Sequence, residues 1–345
     1  MRTIELSIIV SVYNVEKYIR PCLESIFKQG LEEEHYEVII VNDGTKDRSM
    51  EMIADIIKDH SNITVINQEN LGLSVARNNG IAAAKGQYIL MPDSDDLLIE
   101  NSLKPLLKIA IDSQADVVVA DYYKMSNAEI CSTQINLPDF ENIKIEKKTG
   151  EQMFFDFLRI HNYTVWRSLY RKDFLRYHKI TFYPGIYCQD KPFTHEVYLR
   201  AKNCIKASWP IYIYRRHPEG VSYTISDKWA KDCCKVIQIM WDMASNMHLS
   251  PKIRSKMFDH TFYAFTVLTS CLIHEYKSIN KSAEIIDYLN SIAPYLNFKH
   301  GIKQKVYTIM LKKCPHTYIR LRFVYSYIWE DRINPFLRHH TILKK

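Results

Sequence analysis

No stretch of this 345-residue chain is long and apolar enough to cross a bilayer, which takes about 20 mostly apolar residues. The longest uncharged stretch near its middle, 260–274, has 15 residues and is interrupted by Thr, Ser and His. The N-terminus lacks the marks of a secretory leader: Glu5 interrupts between Arg2 and the apolar run 6–12, and no small-residue cleavage site comes after it. That run reads as a buried strand. The eight cysteines contain no C-x-x-C pair and no regular spacing, which argues against a zinc site and a disulfide framework and for reduced, buried thiols. Without export, the sequons at Asn62 and Asn162 carry no meaning. There is no G-x-G-x-x-G after the first apolar run and no G-x-x-x-x-G-K-[ST] anywhere, which disfavours nicotinamide oxidoreductases and P-loop phosphotransferases. His195-Glu196 and His274-Glu275 begin like H-E-x-x-H but lack the second His; both pairs read as ordinary helix residues. With 47% apolar and 25% charged residues, the composition excludes disordered, collagenous and low-complexity chains.

What is present is unevenly distributed. The formal net charge is +7, but residues 1–125 hold 12 Lys and Arg against 20 Asp and Glu, residues 126–225 hold 15 against 10, and residues 226–345 hold 19 against 9. An acidic front and a basic rear call for a functional reason. The length suggests about two domains.

The first 125 residues alternate between short, β-branched apolar runs and segments of helical period. Strands are expected at 6–12, 38–41, 63–66, 88–91 and 117–120. Helices are expected at 15–29, about 47–59, 74–84 and 102–111. Continuous apolar strands alternating with amphipathic helices imply a doubly wound, mostly parallel α/β sheet covered on both faces. Beyond it, 139–148 reads as a polar loop. Thr149 with Gln152 opens a helix to 158 as a capping box. Residues 205–214 read as a strand, and the pattern is helical from 227 on.

In parallel α/β sheets, ligands bind beyond the carboxyl ends of the strands. The first strand ends Ser11-Val-Tyr-Asn14, the second Val41-Asn-Asp-Gly-Thr45 and the fourth Met91-Pro-Asp-Ser-Asp-Asp96. In extended chain, Asp93 and Asp95 point the same way and Asp96 points away. Converging carboxylates suit a divalent cation such as Mg²⁺ or Mn²⁺, which also binds phosphate; alternatively, the Asp-rich turn caps a helix. Asp43 is placed to accept hydrogen bonds from a base or ribose, or else to close an Asx-turn before Gly44. Arg77 sits on a short helix of small residues, where it either meets a diphosphate, fixes the carboxylates, or makes a surface salt bridge.

Taken in order, Val12-Tyr-Asn, Val41-Asn-Asp-Gly-Thr, Asn70-x-Gly-x-x-x-Ala-Arg-Asn-x-Gly80 and Asp93-Ser-Asp-Asp96 resemble the motif series of the family 2 glycosyltransferases. The resemblance continues more thinly to about 225, through Trp166-Arg-Ser-Leu-Tyr-Arg171, Gln189-Asp190 and Tyr212-Ile-Tyr-Arg-Arg-His217. It implies a GT-A fold with a nucleotide-sugar-binding half at 1–125 and an acceptor-binding and catalytic half at 126–225; it does not cover 226–345, whose own pattern reads as a helical, basic extension. It implies a nucleotide-sugar donor, usually a UDP-sugar, and a glycan or lipid-linked acceptor. By the same resemblance Val12, Tyr13, Asn14, Glu16 and Asp43 hold the nucleoside, and Asp93 lies on the ribose–diphosphate side with Ser94 beside it. Asp95, with Asp93, ligates a divalent metal, and Asp190 is the general base of an inverting transfer. Arg77 and His217 belong to the donor site; Arg215, Arg216 or His217 either closes on the diphosphate or lies in a basic loop facing solvent. The family's usual Glu-Asp pair is here Gln189-Asp190. Ser11 stands where proline is usual and Pro92 where leucine is common, so small backbone adjustments are expected beside the contact residues.

The last segment, 299–345, holds 11 Lys and Arg against 2 Asp and Glu, interleaved with aromatics. That pattern suits an anionic membrane surface or a packed helical appendage with a solvated basic face; no nucleic-acid partner is expected. The expected location is the cytoplasm, with this segment allowing a peripheral position on the inner face of the membrane. Two other classes compete. A sugar-phosphate nucleotidyltransferase would want a Gly-rich basic loop after the first strand, where 11–17 has no glycine. A non-catalytic nucleotide-sugar-binding module would bind without turnover.

Overall fold

The computed structural model describes residues 3–276 except 139, 141–142, 157, 159–162 and 218–226, with a few isolated positions beyond 276. Two compact units result: Met1–Gly185 with Gln189–Tyr223, and Ile186–Cys188 with Thr224–Lys345.

The first unit is built on one nine-stranded sheet. Its elements begin with β1 (Leu6–Val12), α1 (Ile19–Phe27), β2 (Tyr36–Asn42), α2 (Ala54–Asp59), β3 (Ile63–Asn67), α3 (Leu73–Ala83) and β4 (Tyr88–Leu90). They continue with β5 (Leu97–Leu98), α4 (Leu103–Ser113), β6 (Val117–Ser126), α5 (Asn127–Ser132), β7 (Ile145–Lys148) and α6 (Gly150–Asp156). Last come β8 (Ser168–Arg171), α7 (Lys172–His178), α8 (Asp190–Arg200) and β9 (Cys204–Arg216). Strands β3, β2, β1 and β4 are neighbours and all parallel. The side chains of β1 and β2 are mostly apolar on both faces, as suits a sheet covered on both: Leu6, Ile8, Ile9 and Val10 are all buried, as are Val38 to Val41.

This half follows the expected alternation, and β1 coincides with its expected span. Beyond β4 the sheet becomes mixed. The segment after Arg167 folds as β8 and inserts antiparallel between β4 and β6, so the fifth expected strand does not sit beside the fourth. That strand also runs on to Ser126 as a half-exposed extension parallel to β9, past register shifts around Asp121. The polar segment expected as a loop over 139–148 contains β7, paired antiparallel with β9. Its lysines are tolerated because charge suits a short edge strand, and Lys148 pairs with Glu146 at 3.1 Å and Asp156 at 2.9 Å. The capping box at Thr149 is present in both directions: Thr149 N donates to Gln152 Oε1 at 2.8 Å, and Gln152 N to Thr149 Oγ1 at 3.2 Å.

The second unit contains α9 (Asp227–Asn246) and α10 (Pro251–Tyr276), as the helical pattern from 227 implies. Cys233, Cys234 and Ile237 pack with Ala264, Phe265 and Leu268, and Trp241 meets Phe258 at 4.6 Å. No described helix is long and apolar enough to cross a membrane. The basic segment 299–345 lies almost entirely outside the described residues.

The close approach of α3 to the sheet depends on Gly80. A Cβ there would stand 2.3 Å from Ile9 Cγ2, and Ile9 is buried in β1. Alanine is favoured over glycine in a helix interior by about 1 kcal/mol, whereas overpacking costs about 1–3 kcal/mol. Gly80→Ala is therefore expected to destabilise the protein by up to about 2 kcal/mol net and to lower its Tm in a thermal melt. An unchanged or raised Tm would show that α3 lifts off β1 without cost.

Candidate active site

The site is assembled at the carboxyl edge of β1, β2 and β4. The backbone of Asp93 bridges to Ser11 in parallel fashion, so the pairing of β1 with β4 extends into the acidic turn. Oxygens of Asp93, Asp95 and Asp96 all lie within 4.8 Å of one another. No helix starts here; the turn leads into β5, so the helix-cap reading does not apply. Asp96, expected to point away, does bring an oxygen near the others, but both its oxygens are engaged. Tyr212 OH donates to Oδ2 at 2.8 Å and Arg215 N to Oδ1 at 2.7 Å. The same Tyr212 hydroxyl accepts from Asp93 N at 3.0 Å. Asp96 is thus the buried anchor of the turn. Asp93 and Asp95 are the carboxylates that keep an accessible face, with side chains 29% and 31% exposed.

Arg77 in α3 fixes carboxylates, one of the three readings of its role, and its burial rules out a surface salt bridge. It is buried, and it donates from Nη2 to Asp93 Oδ1 at 2.6 Å and from Nη1 to Asp190 Oδ1 at 2.7 Å. Asp190 is the first residue of α8, and buried Gln189 precedes it. Two residues 97 positions apart in sequence thereby share one guanidinium. His195, farther along α8, is buried with Nδ1 on the Lys191 carbonyl at 2.7 Å, as an ordinary helix residue should be.

The segments expected to hold a nucleoside are laced together by hydrogen bonds. Val12 is buried, and Tyr13 is exposed. Asn14 adopts a positive φ of 53°, and its N–H donates to Thr45 Oγ1 at 2.8 Å. Glu16 N donates to Asp47 Oδ2 at 2.9 Å, while Arg48 N donates to Glu16 Oε2 at 3.1 Å. Asp47 also accepts from the Thr45 hydroxyl at 2.7 Å. Asp43 is buried and holds the neighbouring loop: it accepts from Gln68 Nε2 at 2.7 Å, Leu71 N at 2.8 Å and Gly72 N at 2.9 Å. Gly44 comes next at φ +66°, and a Cβ there would lie 2.9 Å from Asn70 N, so glycine is required for that approach. Ser94 is buried inside the acidic turn.

The end of β9 closes the other side. Arg215 Nε donates to the Asp95 carbonyl at 2.8 Å, and its guanidinium stands 5.3 Å from the Tyr18 ring centroid. His217 Nε2 contacts Asp95 Oδ2 at 3.0 Å, and its ring lies 4.4 Å from Tyr18. Arg216 instead pairs with Glu129 at 2.8 Å. Arg215 and His217 therefore face the acidic turn, and Arg216 belongs to the outer surface. The sequence reading missed Tyr212, Asp47, Thr45, Tyr18 and Phe182 as parts of this site. Tyr212 and Thr45 lay inside quoted motifs; the other three carry no local signal, because only the fold brings them near.

Electrostatics follow from crowding. Burial pushes Asp93 up to about 7, with Arg77 opposing and Asp95 and Asp190 adding to the rise. Burial, then Asp95 and Asp93, push Asp96 up to about 9. Burial also raises Asp190, against the pull of Arg77. Burial works against the Arg77 charge, but Asp190 and Asp93 outweigh it and raise its pKa. Hard oxygen donors under mutual repulsion suit a divalent cation. The His217 Nδ1, the ring nitrogen that does not meet Asp95, is buried with no partner among the described residues.

In an open α/β sheet, carboxylates at the carboxyl ends of the parallel strands stand where ligands bind. The model of the family described as glycosyl transferase family 2 matches residues 7–178. The uncharacterized glycosyltransferase EpsJ of Bacillus subtilis (strain 168) is 31% identical over 259 residues, covering 75% of this chain and 70% of that protein. A poly(ribitol-phosphate) beta-glucosyltransferase of Bacillus spizizenii is 26% identical over 331 residues, 93% of this chain and 48% of that one. Against other curated glycosyltransferases the chain spans 32% and 63% of their length. In fold, S. aureus TarS 1-349 in complex with UDP-GlcNAc superposes with a TM-score of 0.63 at 19% identity, covering 94% of this chain and 89% of that one. The chain belongs to glycosyl transferase family 2, and its first unit has the GT-A fold.

Tyr212→Phe deletes one hydroxyl that serves the buried Asp96 carboxylate and the part-buried N–H of Asp93. Leaving buried polar groups unpaired costs about 1–3 kcal/mol. Urea denaturation is expected to show a loss of that size. A midpoint equal to that of the wild type would mean the turn holds its shape without Tyr212.

Proposed function

We propose that this chain is an inverting, metal-assisted glycosyltransferase of surface-polysaccharide synthesis. It moves a sugar from a UDP-sugar to a hydroxyl of a glycan or lipid-linked acceptor. The observation that carries this reading is the shared Arg77: it sets Asp190 beside the acidic turn that would receive a diphosphate. The UDP-GlcNAc complex of a protein with the same fold supports the donor class. The poly(ribitol-phosphate) relative supports a polymeric acceptor and a β-linked product.

In this reading, Val12, Tyr13, Asn14, Glu16 and Asp43 line the nucleoside site, with Asp93, Ser94 and His217 toward the diphosphate. Asp95, helped by Asp93, would hold Mg²⁺ or Mn²⁺. The cation would supply Lewis-acid stabilisation of charge growing on the diphosphate. Asp190 accepts the proton of the acceptor hydroxyl as that oxygen bonds to the anomeric carbon. The bond from that carbon to the diphosphate oxygen breaks, and the electron pair leaves with the nucleoside diphosphate. One displacement inverts the centre, so an α-linked donor gives a β-linkage. The positive charge of 226–345 suits an anionic acceptor or the lipid surface that carries it.

A panel of nucleotide-sugars with Mn²⁺ or Mg²⁺ tests the donor by thermal shift, since a ligand that binds only the folded state raises Tm. One UDP-sugar is expected to stabilise the wild type, and Asp95→Ala is expected to abolish the effect. Asp190→Asn should keep the shift and lose transfer about 10²–10⁴-fold. Full transfer by Asp190→Asn, or an α-linked product by NMR, refutes the mechanism. Binding without any turnover supports the non-catalytic module instead.

A further inference from the structure

We infer that Arg77 is a positioning residue for the transfer step: it holds Asp190 in place from the donor-binding half of the sheet. This rests on the reading of Asp190 as the base. Three observations carry it.

The first is the pair of charge-assisted bonds from one buried guanidinium to Asp190 and Asp93. Each takes a single carboxylate oxygen, Oδ1, in both residues. Among the described residues no hydrogen bond takes Oδ2 of Asp190, and its side chain keeps 27% exposure. One oxygen is thus pinned and the other is available to accept a proton. The fork geometry of arginine suits two planar acceptors at once, which a point-charge ammonium cannot match.

The second is that Arg77 is itself held rigidly. Its guanidinium lies 5.1 Å from the Phe182 ring centroid. Phe182 is buried and stacks on Phe193 of α8 at 4.0 Å with an interplanar angle of 2°. The next residue, Asn78, grips the same point by two backbone contacts: Nδ2 donates to the Phe182 carbonyl at 2.8 Å, and Oδ1 accepts from Phe182 N at 2.9 Å. The consecutive residues Arg77 and Asn78 therefore clamp α3 to the 182 segment and to the first turn of α8, where Asp190 stands.

The third is the position of Asp93. It occupies the other arm of the guanidinium and lies in the acidic turn, so whatever occupies that turn acts on the base through one intervening side chain. A contact with the diphosphate is the competing role for Arg77. The two roles differ in what they touch: a donor contact governs donor affinity, whereas a positioning residue governs the rate of the step and the proton affinity of Asp190.

The experiment compares full-length wild type, Arg77→Lys, Arg77→Met and Asp190→Asn. Binding of UDP with Mn²⁺ is measured by calorimetry. Turnover is measured as UDP release from whichever of UDP-glucose and UDP-N-acetylglucosamine the wild type consumes faster, with water as acceptor. UDP affinity is expected to stay within about threefold in both Arg77 variants, which also shows that they fold. Turnover is expected to fall about a hundredfold in Arg77→Met, the scale of a misplaced catalytic group, and about tenfold in Arg77→Lys, whose ammonium keeps the charge but not the fork. Arg77 opposes protonation of Asp190, so its loss moves the acidic limb of the kcat/KM profile of Arg77→Met upward. The inference is overturned if turnover and the acidic limb match the wild type, or if UDP affinity drops by the same factor as turnover. If Asp190→Asn turns over normally, the base assignment itself fails and this inference falls with it. If Asp190→Asn is inactive while the Arg77 variants are normal, only the positioning role is lost.

Discussion

Crowded negative charge is the constraint around which this molecule is arranged. Asp93, Asp95 and Asp96 are forced together by a turn only a few residues long, and in a partly dry site such charges repel strongly. Each is compensated by a different device. Asp96 is given a hydroxyl and a backbone N–H, Asp93 a buried guanidinium, and Asp95 an imidazole edge. These devices come from β9, α3 and the residue just past β9. The turn keeps its shape only because elements far apart in sequence converge on it.

The parallel half of the fold was legible in the sequence because its signals are local. A seven-residue apolar run such as Leu6–Val12 has to be a buried strand, and the Thr149–Gln152 box announces its helix within four residues. The mixed half of the sheet beyond β4 was not legible in the same way. The placement of β8 between β4 and β6 is a long-range pairing in the antiparallel sense, and nothing in Ser168–Arg171 specifies its neighbours. Strand β7 was read as a loop because three of its four residues are charged. Edge position, which makes that charge acceptable, is a property of the finished sheet. The site shows the same division. Its carboxylates could be found from strand ends, while Tyr18 and Phe182 joined only once α1 and the 182 segment were folded.

Asp43 sits at the end of β2 as expected and makes contacts that neither expected reading names. The sequence offered two readings, a nucleoside contact and an Asx-turn. In the fold its carboxylate accepts from Gln68 and from two successive backbone N–H groups at Leu71 and Gly72. That loop leads directly into α3, and α3 carries Arg77. A carboxylate at the end of β2 thus sets the start of the helix whose guanidinium reaches Asp93 and Asp190. The motif around Asp43 and the motif around Arg77 are adjacent parts of one support.

The acidic front and basic rear of the chain can now be separated by cause. Much of the negative charge in 1–125 is ordinary surface, as in the Arg20–Asp55 and Lys108–Asp112 pairs, and exposed pairs of this kind contribute little to stability. The carboxylates of the acidic turn differ because burial and mutual repulsion leave them in need of positive charge. Arg77 supplies part of it, but one guanidinium cannot neutralise Asp93 and Asp190 together, and the Asp95 carboxylate is met by an imidazole while Arg215 is spent on its carbonyl. A doubly charged cation placed among oxygen ligands would complete the balance. In the proposed function, a nucleoside diphosphate bound there would bring its own negative charge, and cation and donor would then favour each other's binding.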